Sequence, residues 1–325
     1  MNAEAYAMTL LGKIKTLNER LWEGRADLPA IKAWLENFKA EEEPYEGAQI
    51  QALYLLSQFI FFGTREVREL LRALYRDQFR YPVIEALREA NEDTFDVARL
   101  HNLYEEELRQ TRFLGVGSPA ESGTHLLYYF RQENGLPKSV FVSLAGLYDR
   151  RIDDPTVAFV DPKVRRIVFL DDLCGSGTQA TRYSERVLPT LRKVAERDEF
   201  SLQIDYLVLV AQRDALANVA SNTDFDRVGT VLELDETHRC LSPSSRHFHD
   251  ADQAEQDHVN LETALRVASE YGSKLWPEHP VGWRDSQLLL GFSHNIPDNT
   301  LPILWWDQPP PAWIPIFPRY PKIEA

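Results

Sequence analysis

Apolar positions in the opening part of the chain recur at helical spacing. Leu10, Leu11, Ile14, Leu17 and Leu21 fall on one helical stripe. A second helix is expected over Leu28–Phe38, followed by a Glu-rich link through Glu41, Glu42, Glu43 and Pro44. The cluster from Leu53 to Phe62, broken by Ser57 and Gln58 and ended by Gly63, reads as a buried helix. Val67, Leu70, Leu71, Leu74 and Tyr75 mark another amphipathic helix. Arg65, Arg68, Arg72 and Arg76 lie along its polar side and read as a solvated face pairing with Glu66 and Glu69. No strand signal precedes Arg112.

From Arg112 the texture changes to strands alternating with helices. Strands are expected over Arg112–Gly117, Ser139–Leu144 and Arg166–Leu170, then over the nearly continuous apolar runs Leu202–Val210 and Val228–Leu234. Helices are expected over Ser122–Glu133, from Thr178 to about Glu196, and over Ala215–Ala220. Apolar strands of this kind between helices predict an α/β fold, a parallel sheet with helices on both faces. A helix over 251–272, strands at Gln287–Phe292 and Leu301–Trp306, and a Pro/Trp-rich tail complete the chain. The expected organisation is a helical amino-terminal region (1–110), an α/β core (111–250) and a carboxyl-terminal part packing on that core (251–325).

Composition narrows the function classes. With 36 basic against 50 acidic residues the formal charge is −14, which disfavours nucleic-acid binding over a broad surface. No apolar segment approaches the ~20 residues that cross a bilayer, so no membrane partner is expected. Two cysteines, Cys174 and Cys240, and the lack of a leader sequence point to a reducing cytoplasm.

The chemistry concentrates at Ile167-Val-Phe-Leu-Asp-Asp-Leu-Cys-Gly-Ser-Gly-Thr178. A strand ends in two acids, and a small-residue loop opens a helix, so backbone N–H groups and a positive helix end meet where a phosphate can sit. This pattern resembles the phosphoribosyl-pyrophosphate (PRPP) loop of type I phosphoribosyltransferases. The resemblance covers about residues 112–235 and implies a phosphoribosyltransferase-like core. It implies that Asp171 and Asp172 bind the ribose 2′- and 3′-hydroxyls, directly or through Mg²⁺. It also implies that the amides of Cys174, Gly175, Ser176, Gly177 and Thr178, with the Ser176 and Thr178 hydroxyls, hold the 5′-phosphate. Cys174 is read as a small loop residue, not a nucleophile.

Two further loops would share that edge. Gly115-Val-Gly-Ser-Pro-Ala-Glu-Ser-Gly123 resembles the pyrophosphate-side loop, with Ser118, Ser122 and Gly123 as contacts. It departs from the family in offering Glu121 and Ser122 where many members carry a basic residue. Ala145–Lys163 is a long connection without clear structure of its own. In the family the corresponding segment is a mobile flap, and Arg150 and Arg151 on it would neutralise phosphate charge as the leaving group departs. Against that stands a solvent loop whose arginines pair with Asp153 and Asp154.

The layout is also similar to phosphoribosyltransferase-like proteins of bacterial conflict systems, such as those beside retrons. That similarity implies an anti-phage toxin or effector, with a defence-system partner docked on the helical amino-terminal region. Two alternatives accompany the enzyme reading. One is a non-catalytic sensor of a nucleotide signal. The other is an S-adenosylmethionine-dependent DNA amino-methyltransferase, whose Asp-Pro-Phe-Cys-Gly-Ser-Gly-Thr motif is similar. Asp172 in place of the proline, Val210-Ala-Gln-Arg213 without the expected ribose-holding acid, and Gln308 splitting the Asp-Pro-Pro motif count against it.

Two weaker constellations remain. Asp235, His238, Cys240, His247, His249 and His258 match no tight zinc spacing and read as loop and cap residues. Asp285, Asn295 and Asn299 with Trp283, Trp305 and Trp306 are either a base-stacking hood or, as favoured here, packing of the tail.

Overall fold

The structure is a computed structural model and describes residues 2–38, 47–117, 122–150, 157–249, 258–309 and 312–319. Helices stand where the apolar stripe is regular. Helix α1 (Ala3–Arg20) starts at Asn2 and α2 (Leu28–Leu35) at Asp27, each side chain accepting a first-turn N–H at 2.9 Å. Helix α3 (Ala48–Ser57) stops where the Ser57 hydroxyl turns back to the Tyr54 carbonyl, and strand β1 (Ile60–Phe62) follows. This corrects the single helix expected from Leu53 to Phe62, and the absence of strands before Arg112. Ile-Phe-Phe has strand-favouring side chains, but its pairing partner, Leu290–Phe292, lies far along the sequence.

The chain continues through α4 (Thr64–Tyr75), a π-helical turn at Arg76–Arg80, α5 (Tyr81–Ala90) and α6 (Val97–Arg109). Then come β2 (Thr111–Gly115), α7 (Ser122–Glu133), α8 (Leu144–Leu147), β3 (Tyr148–Arg150), β4 (Val157–Phe159) and β5 (Arg166–Cys174). Next are α9 (Thr178–Arg197), β6 (Gln203–Gln212), α10 (Arg213–Asn222) and β7 (Arg227–Leu234). The last elements are α11 (Arg246–His249), α12 (Leu261–Leu275), β8 (Leu290–Phe292) and α13 (Pro302–Trp305).

Three more expectations are corrected. The strand expected over Ser139–Leu144 is a 3₁₀ turn at Lys138–Val140 with one bridge from Phe141 to Phe113. The connection Ala145–Lys163 is not structureless, since β3 and β4 pair antiparallel within it, Tyr148 opposite Phe159. Strands of three residues are too short to show a period. Leu301–Trp306 contains a helical turn, because Pro302 at its first position has φ preset for a helix and no N–H for a ladder.

Strands β2, β5, β6 and β7 pair in that order, all parallel. Gly115 stands opposite Leu170, and Cys174 opposite Ala211, so the carboxyl ends share one edge. One face of the sheet (Ile167, Phe169, Ile204, Tyr206, Val208) packs under Tyr183, Val187, Leu188 and Leu191 of α9. On β2, Phe113 meets Phe79 at 5.0 Å and Phe130 of α7 at 5.3 Å, which continues the aromatic cluster begun by Tyr75. The expected α/β core with helices on both faces is present.

By compactness the chain divides into Met1–Val67 with Asp235–Ala325, and Arg68–Leu234. These limits differ from the sequence boundaries at 110 and 250 for a packing reason. Tyr75 and Phe79 belong to the aromatic layer on β2. In the other unit, Trp22, Trp34, Leu53 and Tyr54 share a core with Val267, Ile303 and Phe317. There the Trp34 indole N–H donates to the Ile303 carbonyl at 2.7 Å.

Candidate functional site

Strand β5 runs through both acids instead of stopping at Leu170, because Leu173 and Cys174 still pair with Val210 and Ala211. Consecutive side chains of a strand point to opposite faces. Asp171 therefore shares a face with Phe169 and Tyr206, and Asp172 shares the other with Leu170. Asp171 Oδ2 accepts the Tyr206 hydroxyl at 3.2 Å and its Oδ1 accepts the Asp172 N–H at 2.9 Å. Asp172 Oδ1 accepts the Leu173 N–H at 2.8 Å. At 4% and 5% exposure, neither acid is a solvated surface carboxylate.

Burial is the chief cause that raises the pKa of Asp171 well above the usual carboxylate range, and the adjacent Asp172 charge adds to it. Tyr206 is fully buried, and its phenol is pushed up by burial and then by Asp171. Burial, and next the Asp171 charge, push the Cys174 thiol up to about 12. Burial thus disfavours the thiolate at this position.

Beyond Cys174 the chain leaves the sheet through Gly175, Ser176 and Gly177 and enters α9 at Thr178. Gly177 takes φ +73°, and a Cβ there would stand 3.0 Å from both the Ala215 carbonyl oxygen and a Val219 methyl. The turn thus requires glycine. Ser176 Oγ and Thr178 Oγ1 are 3.0 Å apart, with the Thr178 N–H directed at Ser176 Oγ at 3.4 Å. Gly177, at the N-cap, has no side chain to cap the helix, and the first turn of α9 carries no acid. A 20-residue helix thus begins with no acid in its first turn, beside two hydroxyls. That arrangement suits a phosphate.

The other sequence candidates divide by position. Ser122 and Gly123 open α7, the helix that follows β2. Arg150 closes β3, where its backbone pairs with Val157. Ser118, Glu121, Arg151, Asp153 and Asp154 lie outside the described residues. The structure brings Asp171, Asp172 and Cys174–Thr178 together around one strand end. Sequence reasoning missed Tyr206. The available signal was a phenol, beside Asp205, inside an otherwise aliphatic run.

Among the described residues no three His, Cys, Asp or Glu side chains converge on a metal position. A Mg²⁺ here would have Asp171 or Asp172 as its protein carboxylate and would need a bound ligand's own oxygens, a common arrangement for this ion. Asp235 accepts from Thr237, His238 and Arg246 and caps a 3₁₀ turn. Asn299 donates to Ser286 Oγ and the Trp305 indole to the Thr300 carbonyl, contacts that hold the tail in place. A cavity of about 580 Å³ lined by Arg192, Lys193, Glu196 and Asp224–Asp226 lies at the opposite, amino edge of the sheet. There Arg192 is spent on the Leu202 and Asp224 carbonyls.

The model of the PRTase-CE family matches residues 31–319. No curated protein matches the chain. Among solved structures, the AQ2163 protein from Aquifex aeolicus is 10% identical with a TM-score of 0.27, over 64% of this chain and 86% of that one. A hypothetical protein from Neisseria gonorrhoeae with bound ppGpp is 12% identical with a TM-score of 0.25, over 66% of this chain and 98% of that one.

Proposed function

The chain belongs to the PRTase-CE family of phosphoribosyltransferase-like proteins, and from that premise we propose that the loop after β5 binds a ribose 5-phosphate ligand, PRPP or a nucleotide. The observation that carries the reading is the acid-free start of α9 behind a glycine turn, with Ser176 and Thr178 hydroxyls beside it. The amides from Cys174 to Thr178 take the 5′-phosphate, and the acid pair at the end of β5 serves the ribose hydroxyls.

The reaction such a site supports is displacement at ribose C1′ through an oxocarbenium-like state. The bond from C1′ to the departing group breaks with its electron pair on that group, and a base or water supplies the new bond. The chain contributes positioning of the ribose and, from Arg150 and Arg151, positive charge for a departing pyrophosphate. Mg²⁺, when bound with the ligand, supplies further charge neutralisation. The similarity of the loop and its layout to conflict-system proteins supports a role as an anti-phage effector with a defence-system partner.

Titration calorimetry with PRPP, ribose 5-phosphate, common nucleotides and S-adenosylmethionine, each with and without Mg²⁺, tests the proposal. Phosphoribosyl ligands should bind, and the double variant Asp171→Asn/Asp172→Asn should weaken them about tenfold or more, ~1.4 kcal/mol. Tight S-adenosylmethionine binding without any phosphoribosyl response would overturn it. Base release or transfer by the purified protein then separates the enzyme from a sensor that binds without turnover.

A further inference from the structure

We propose that Trp276, His279, Trp283 and Arg284 form a nucleotide site of their own, which stacks the base on the rings and holds the phosphate at the guanidinium. The site lies in the unit assembled from both ends of the chain and uses no residue of the loop after β5.

The rings gather at the end of α12. Trp276 follows that helix directly, and its backbone N–H closes the last turn on the Gly272 carbonyl at 2.7 Å. His279 lies 4.7 Å from the Trp276 ring and 4.2 Å from that of Trp283. The two indoles are 5.9 Å apart and within 26° of parallel. All three side chains are half-buried. What separates them from the packing tryptophans is their polar edge. Trp34 and Trp313 donate their indole N–H to the Ile303 carbonyl, Trp305 to that of Thr300 and Trp306 to that of Gln308. The indole N–H groups of Trp276 and Trp283 meet no acceptor among the described residues. His279 Nδ1 accepts the Arg284 N–H at 3.3 Å, so the neutral ring carries its proton on Nε2, and this donor is unspent as well. Ring faces with donors at their edges suit a heteroaromatic base, which offers a π-face and in-plane acceptors.

The turn that carries Trp283 and Arg284 is strained. Arg284, Asp285 and Gln287 take φ of 51°, 59° and 52°, a region that residues other than glycine rarely enter. Polar contacts hold it there. Arg239 reaches the Asp285 carbonyl at 2.6 Å and its carboxylate at 3.1 Å, Gln287 Nε2 donates to Asp285 Oδ1 at 2.9 Å, and Asn299 Nδ2 to Ser286 Oγ at 2.8 Å. The result is an exposed Arg284 whose neighbouring acid is already paired, so its guanidinium has no carboxylate among the described residues. An unpaired guanidinium next in the chain to a stacked ring adds an anion to what the ligand must carry. A base with a phosphate is a nucleotide. The formal charge of −14 disfavours a long nucleic-acid strand and leaves the free nucleotide as occupant.

Titration of the full chain with AMP, adenosine and ribose 5-phosphate, followed by calorimetry and tryptophan fluorescence, tests this. AMP should quench the fluorescence, and should do so in the Asp171→Asn/Asp172→Asn background too. In that background Trp283→Ala should weaken AMP and adenosine alike, by about tenfold or more. Arg284→Gln should weaken AMP about threefold to fivefold and leave adenosine unchanged. Neither change should alter ribose 5-phosphate binding when the acid pair is intact. Trp283→Phe keeps a ring without the indole N–H and should lose less than Trp283→Ala, which covers the case in which the alanine variant does not fold. AMP affinity unmoved by both Arg284→Gln and Trp283→Phe would overturn the site, and so would AMP binding that disappears once the acid pair is changed. Tighter binding of a short single-stranded oligonucleotide than of AMP would overturn the choice of a free nucleotide. A wild type that binds AMP here but not ribose 5-phosphate removes the reading of the β5 loop and leaves this site standing.

Discussion

Asp171 sits where water does not reach it, and the consequence is a dependence of stability on pH. The folded protein holds its proton more tightly than the unfolded chain, in which an aspartate titrates near about 3.9. The stability it contributes is complete below that value and is lost as pH rises through the elevated folded value. Asp171→Asn cannot ionise. Calorimetric melting should therefore find the variant matched to wild type near about pH 4 and increasingly more thermostable toward about pH 8. A Tm difference that stays constant with pH would count against a buried, proton-retaining Asp171. Gly177→Ala forces a side chain into a left-handed turn against the Ala215 carbonyl and Val219. It should cost about 1–2 kcal/mol in urea unfolding. The loop itself was legible in the sequence, since small residues between an apolar run and a helix have few other readings. The partner of Asp171 was not legible, because Tyr206 lies 35 residues further on and an apolar run does not say which side chains its neighbour will meet.

The central strands are fixed at their other end by charge. Asp205 on β6 is fully buried and takes Arg166 of β5 at 3.1 Å and Gln203 at 2.9 Å, with Arg227 of β7 3.8 Å away. Arg166 also reaches Glu107 of α6 at 2.9 Å. Removing one member of such a buried set strands the rest. Asp205→Ala is expected to cost about 3–5 kcal/mol in denaturant unfolding, and a loss below about 1 kcal/mol would show that water already screens the set. At this scale the long elements were readable. The helix expected over Ser122–Glu133 has those ends, and β5, β6 and β7 fall where apolar runs placed them. The short elements were not readable. β1, β3, β4 and β8 have three residues each, fewer than a periodic signal needs, and β1 with β8 depends on a pairing that only the folded chain creates.

Across the whole molecule, one compact unit is continuous and the other is assembled from both ends of the sequence. In the assembled unit Phe317 packs against Trp22 at 5.5 Å, Phe59 at 4.5 Å and Phe61 at 5.8 Å. Phe317→Ala should cost about 3–5 kcal/mol, measurable by calorimetry, because the rings around it cannot all collapse into the gap. The same split bears on how the protein is made. Trp22, Trp34 and Leu53–Leu56 leave the ribosome early, yet Phe317 comes 250 residues after Val67 (317 − 67). At typical elongation rates of ~5–20 residues per second, that interval lasts roughly 12 to 50 s. For that time the first 67 residues are a sticky, incomplete half-core, whereas Arg68–Leu234 has all its sequence 83 residues before Phe317 is added (317 − 234). Nascent chains stalled before residue 303 should accordingly recruit hydrophobic-binding chaperones to the amino-terminal helices, and release them only once the tail has been synthesised.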